Sequence, residues 1–129
     1  MAVHASLGEA PYQVNIAAGG HVLTGDEPVS NGGANAGPSP FDLVLAGLAA
    51  CTLITLRMYA ERKAWAPLEM TVELRHRVED GRHLIDRRVE VAGAPDEAGV
   101  ARLRDIVERT PVTLALKAGF AISTVLNPA

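Results

Sequence analysis

The chain has 129 residues, 12 basic and 15 acidic side chains and one cysteine, Cys51; that length suits one domain over residues 1–129 with a sizeable core. One cysteine excludes an internal disulfide framework. A net charge of −3 with both signs interspersed gives no electrostatic footprint for nucleic acid and no basic face for a membrane surface.

Residues 1–6 lack the basic start and apolar run of a signal peptide, so the expected compartment is the cytosol. Tyr12, Val14 and Ile16 alternate with Gln13 and Asn15, which predicts a short half-buried strand. Gly19-Gly20 turns the chain and residues 21–24 return as a second strand. Residues 26–38 form a loop rich in Gly, Asn, Ser and Pro. Phosphates bind before helices in other proteins, but this loop lacks the Gly-Lys-Ser/Thr ending of a phosphate-binding loop. It reads as a flexible connection before a capped helix, or as a cover over the thiol.

Ser39 suits the cap of the following helix, Pro40 its first position and Asp42 its third, a capping-box pattern. The helix is apolar on every face across residues 43–56, then turns polar with Arg57, Glu61, Arg62 and Lys63. That apolar run is 14 residues, where a membrane span needs about 20, so a buried core helix is expected. A helix apolar all round must be surrounded by protein, and a small domain has trouble wrapping one alone. A second copy of the chain is therefore expected to cover part of it.

Leu68, Met70, Val72, Leu74, His76 and Val78 alternate with Glu69, Thr71, Glu73, Arg75, Arg77 and Glu79, and Asp80-Gly81 is a two-residue hairpin turn. Pairing outward from it sets Glu79 opposite Arg82, Arg75 opposite Asp86 and Glu73 opposite Arg88. Val72 then meets Val89 and Met70 meets Val91 on the other face. Pro95-Asp96 opens a second helix with Val100, Leu103, Ile106 and Val107 on one side. Thr110-Pro111 ends it and starts a short helix that Gly119 closes. Phe120, Ile122 and Thr124 alternate with Ala121, Ser123 and Val125 as a last strand. The element order is that of an α+β fold.

The run Gly37-Pro38-Ser39-Pro40, continuing through Leu43, Leu45, Ala46 and Ala49-Ala50 to Cys51, resembles the OsmC/Ohr family of osmotically inducible and organic-hydroperoxide-resistance proteins. Thr110-Pro111-Val112, where the family usually carries Cys-Pro-Val, strengthens the resemblance. It implies an intertwined homodimer of antiparallel sheets wrapped around long central helices. It also implies a peroxidatic role for Cys51, whose sulfenic acid a second cysteine would resolve. Three features depart from that pattern. Thr110 holds the second-cysteine position, so full two-cysteine chemistry is excluded. Phe41 holds the place of the family's glutamate, and Asp42, one step on, points about 100° away around the helix. The family's thiolate-activating arginine belongs to the N-terminal strands, but no arginine precedes Arg57; His21 can carry a positive charge there.

Two functions remain open at this point. In one, Cys51 is the nucleophile of a one-cysteine, peroxiredoxin-like reduction of organic hydroperoxides in the oxidative stress response, with an external thiol as reductant. In the other, a dimer binds a small apolar ligand and Cys51 is an inert pocket or core residue. Cys51 sits about three turns inside its helix, beyond reach of that helix's N-terminal dipole, and apolar burial raises a thiol pKa. A reactive thiol here needs a cationic neighbour, for which His21, His76 and Arg87 are candidates and Asp42 an orienting carboxylate. Arg87 lies on the apolar face of the hairpin, where it either finds a partner such as a thiolate or snorkels to solvent. His76 and His83 are diagonal neighbours on that face without a third ligand at a recognisable spacing. No metal, cofactor, nucleic acid or membrane partner is expected.

Overall fold

A computed structural model describes residues 1–65, 68–93 and 96–128. Among the described residues, three α-helices and two antiparallel sheets give the α+β architecture, in two compact units, residues 1–46 and 47–129.

In the first unit, β1 (Val3–Leu7), β2 (Val14–Ala18) and β3 (His21–Gly25) form a three-stranded sheet in that order. The alternation at Val14 and Ile16 does make a strand, but it starts two residues after Tyr12, whose φ of 69° belongs to the preceding turn. β1 was not expected; Val3, Ala5 and Leu7 alternate with His4 and Ser6, a weak signal in a segment with small side chains. Gly19 and Gly20 take φ values of 57° and 81° between β2 and β3, the left-handed conformation that a tight primed turn requires.

The following loop is more ordered than its composition suggests. It contains a 3-10 turn at Val29–Asn31, and buried Asp26 gathers it from one end. Its carboxylate accepts hydrogen bonds from the backbone N–H of Glu27 at 2.7 Å, Ala36 at 3.0 Å and Ala34 at 3.3 Å. Hydrogen bonds to the charged form hold the Asp26 carboxyl below its ordinary value, those from Ala36 and Glu27 acting most strongly.

α1 (Pro40–Arg62) begins with the expected capping box. Asp42 N–H donates to Ser39 Oγ at 3.2 Å, and Ser39 N–H donates to an Asp42 carboxylate oxygen at 3.2 Å. By length and composition α1 is apolar enough to cross a membrane. Its buried residues within this single chain are Leu48, Thr52, Leu56 and Ala60, one stripe at four-residue spacing. Ile54 and Met58 remain 54% and 53% exposed.

In the second unit, β4 (Glu69–Glu79) and β5 (Arg82–Ala92) pair in the register set by the Asp80-Gly81 turn. Glu79 faces Arg82, Val72 faces Val89, Met70 faces Val91 and Leu74 faces Arg87. The ion pairs do not follow the directly opposite pairs. Arg77 reaches diagonally to Asp86, its Nε 2.6 Å from the carboxylate, and along its own strand to Glu79; Arg75 pairs with Glu73 at 2.7 Å. Long side chains reach diagonal and same-face neighbours as easily as those opposite. His76 and His83 are diagonal neighbours as expected, their rings stacked at 5.1 Å with Nε2 and Nδ1 2.8 Å apart.

α2 (Glu97–Val107) is capped by Asp96, which accepts the Gly99 N–H at 2.7 Å; Pro95 lies outside the described residues. α3 (Pro111–Ala118) has Thr110 as its N-cap and ends at Gly119, φ 82°. No strand follows it among the described residues. The alternating segment is there, with Phe120 and Ile122 67% and 86% exposed, but it makes no ladder within the chain, and alternation without a partner does not make a strand.

Candidate active site

Cys51 is half-buried on α1 and is a free thiol. Its Sγ lies 3.9 Å from Thr55 Oγ1, one turn on. From outside its own helix, the Val112 backbone N–H and the Thr110 hydroxyl act on the thiol as donors that pull its pKa down. Both come from the first turn of α3, and the sequence explains their availability. Thr110 is the cap, Pro111 has no N–H, and Val112 therefore presents the first free backbone donor of the helix. Cys51 does lie well inside α1, away from that helix's N-terminus, and the donors that act on it come instead from the start of α3.

The opposing effects on the thiol can be ranked. Burial is the largest and pushes its pKa up; the Val112 N–H, the hydroxyls of Thr110 and Thr55, and the positive charge of Arg87 pull it down. The donors and the charge together prevail, and the thiol lies below its ordinary value.

Arg87 turns inward instead of snorkelling to solvent, its side chain 12% exposed. Nη1 donates to Thr113 Oγ1 at 2.8 Å and Thr52 Oγ1 at 3.0 Å. Nη2 donates at 2.8 Å to the carbonyl of Val107, the last residue of α2. A guanidinium there satisfies an orphan carbonyl and meets the negative end of the helix dipole. All three acceptors are neutral. Among the described residues the one carboxylate within 4.0 Å is Glu108, at that limit, and Lys117 holds it at 2.8 Å. The arginine is thus rigidly held and only weakly neutralised.

Of the residues singled out from sequence, Cys51, Arg87 and Thr110 are brought together. His76 faces Ile85 across the hairpin and stacks on His83, and its charge is not among the influences on the sulfur. His21 starts β3, paired with Ala18 and exposed. Asp42 serves the capping box of α1. Both belong to residues 1–46, whereas among the described residues the groups named as acting on the sulfur belong to residues 47–129. Sequence reasoning passed over Thr52, Thr55, Thr113 and the Val112 N–H. The Thr110-x-x-Thr113 spacing across a helix start was the available signal.

A hollow of about 630 Å³ flanks Arg87, lined by Arg82, His83, Lys117 and Glu108 and by apolar side chains including Leu48 and Leu116. A smaller one of about 250 Å³, lined by aliphatic side chains including Leu56, Val89, Val100 and Leu103 and also by Arg104, lies beside α2. No cluster of three or more metal-binding side chains occurs among the described residues.

Residues 32–125 match the family model described as OsmC-like protein. The fold superposes on an OsmC-like protein from Mycoplasma pneumoniae with 25% identity and a TM-score of 0.69, covering 90% of this chain and 86% of that one. An organic hydroperoxide resistance protein OsmC from Legionella pneumophila superposes with 22% identity and a TM-score of 0.60, covering 90% and 88%. For an osmotic stress induced and detoxification response protein from Psychrobacter arcticus 273-4 the values are 17% and 0.71, over 87% and 85%. The last two are similar at the level of fold. Curated protein sequences gave no match.

Proposed function

The chain belongs to the OsmC-like family, and on that premise we propose that it is a cytosolic, homodimeric, one-cysteine thiol peroxidase that reduces organic hydroperoxides through Cys51. The observation that carries this reading is the arginine: a guanidinium 12% exposed, fixed by neutral acceptors and acting on a half-buried thiol. A largely buried cation whose one nearby carboxylate, Glu108, stands at 4.0 Å and is held by Lys117 favours a further anion beside it. Arg87 thereby supplies the positive charge that the family's pattern places in the N-terminal strands.

The Cys51 thiolate attacks the distal oxygen of the hydroperoxide; an S–O bond forms as the O–O bond breaks, and the alkoxide takes up a proton and leaves as the alcohol. Arg87 and the Val112 N–H hold the thiolate before attack. With Thr110 in place of a second cysteine, the sulfenic acid is reduced from outside. One external thiol displaces water to form a mixed disulfide, and a second releases Cys51 as the thiol with the external disulfide.

The apolar hollow beside α2 favours a second reading, in which the dimer binds a small apolar molecule and Cys51 is chemically inert. Two measurements separate them. Alkylation of Cys51 as a function of pH should show a midpoint below the ordinary thiol value of about 8.5. Intact mass after a pulse of organic hydroperoxide with a sulfenate trap should show one adduct, absent in Cys51→Ser. A midpoint at or above about 8.5 and no adduct on folded protein, with Cys51 accessible on unfolding, overturn the peroxidase and leave the binding protein.

A further inference from the structure

A guanidinium has five donors and no acceptor, so any hydroxyl that meets it must present a lone pair. Thr52 and Thr113 both do so toward Arg87 Nη1. Their own protons then have different destinations. Thr52 donates to the Leu48 carbonyl at 2.7 Å, one turn back in α1. Thr113 Oγ1 lies 2.6 Å from Thr110 Oγ1. Thr110 also accepts the Thr113 backbone N–H at 3.3 Å as the cap of α3, and its hydroxyl is among the donors that pull the Cys51 thiol down. Thr110 and Thr113 are 0% and 4% exposed, so their hydroxyls answer to these neighbours and not to bulk water.

A thiolate only accepts hydrogen bonds. When Cys51 loses its proton, the Thr110 proton turns to the sulfur, and the Thr110 oxygen is left to accept from Thr113. We propose that Thr110 and Thr113 are positioning residues that transmit the Arg87 charge to Cys51: the Arg87–Thr113 and Thr113–Thr110 contacts run as a one-way chain, Arg87 N–H to Thr113 and Thr113 O–H to Thr110, which the Thr110 O–H completes by turning to Sγ. Aligned hydroxyls polarise one another in a low-dielectric setting, so the sulfur feels more than its own contact with Thr110. The position without a resolving cysteine is thereby given a different task, stabilising the reactive form of the first. This inference rests on the thiolate being the working state of Cys51.

The test is the pH profile of Cys51 alkylation in Thr113→Val, Thr110→Val and the two serine variants, with unfolding followed in parallel. Thr113→Val keeps the α3 cap and decides the matter even if Thr110→Val fails to fold. Each valine variant should raise the midpoint by about one unit, roughly a tenfold loss of thiolate at pH values below it. Each serine variant should return it to the parent value. A double-mutant cycle adds a readout that a purely structural role would not move: Arg87→Lys should raise the midpoint less in the Thr113→Val background than in the parent. An unmoved midpoint in Thr113→Val, no rescue by serine, or equal effects of Arg87→Lys in both backgrounds each overturns the chain. A parent midpoint at or above about 8.5 with no trapped sulfenate overturns the peroxidase reading instead, so the two failures are distinguishable.

Discussion

For Cys51 the balance of forces sets the chemistry. Burial opposes the thiolate, and the α3 backbone, two threonine hydroxyls and Arg87 favour it. Replacing Arg87 by lysine keeps a charge but loses the fork that reaches Thr52, Thr113 and the Val107 carbonyl together. The alkylation midpoint of Arg87→Lys should therefore rise and sulfenate formation slow by about tenfold, as one unit of thiol pKa implies; a parent-like profile would show that charge alone suffices. Asp26 gives a second prediction of opposite chemical character. Its carboxyl is lowered in the fold by the N–H groups of Ala36, Glu27 and Ala34. Its stabilising contribution is therefore complete above the unfolded value of about 3.9 and disappears as pH falls through the lower folded value. Asp26→Asn should be less stable than the parent at pH 7, with the gap in urea midpoint closing as pH falls through the lowered folded value. A gap that stays constant would mean the charge is irrelevant to the loop.

Local chemistry and register decide the elements. The α1 capping box is reciprocal, and Ser39→Ala should cost about 1 kcal/mol in chemical unfolding; an unchanged midpoint would show that packing of α1 alone sets its start. At the hairpin tip Asp80 and Gly81 take φ of 53° and 74°. A Cβ added at Gly81 would meet nothing within 4 Å, so Gly81→Ala tests conformation alone and should cost about 1 kcal/mol. The hairpin register was legible because period-two alternation and a two-residue turn leave only one pairing that keeps Val72 and Val89 inside. The ion pairs were not, because backbone register does not fix where a long arginine reaches. The segment after Gly119 has strand alternation too, and its fate shows that a strand is a property of two segments.

For the whole molecule, the question is what covers α1. Within one chain its buried stripe is Leu48, Thr52, Leu56 and Ala60, while Ile54 and Met58 remain more than half exposed. If a second copy covers that face, light scattering should give a dimeric mass at micromolar concentration. Ile54→Glu with Met58→Glu, one turn apart on one side, should shift the mass toward monomer with helix content retained. A monomeric parent would contradict the proposed homodimer.

The sequence by itself determined the elements whose causes are local: the capped start of α1, the Asp80-Gly81 hairpin, the Thr110-Pro111 start and Gly119 end of α3, and the identity of Cys51 as the residue to watch. These depend on spacing within a few positions, which the chain carries in plain order. Tertiary structure alone decided which charge and which donors reach the sulfur. Arg87 is 36 residues from Cys51 and Val112 is 61, and the hairpin pattern alone favoured solvent for Arg87. Hydrogen bonds to Thr52 on α1, Thr113 on α3 and the Val107 carbonyl hold it inward, and a thiol far from its own helix terminus came under the donors at the start of another.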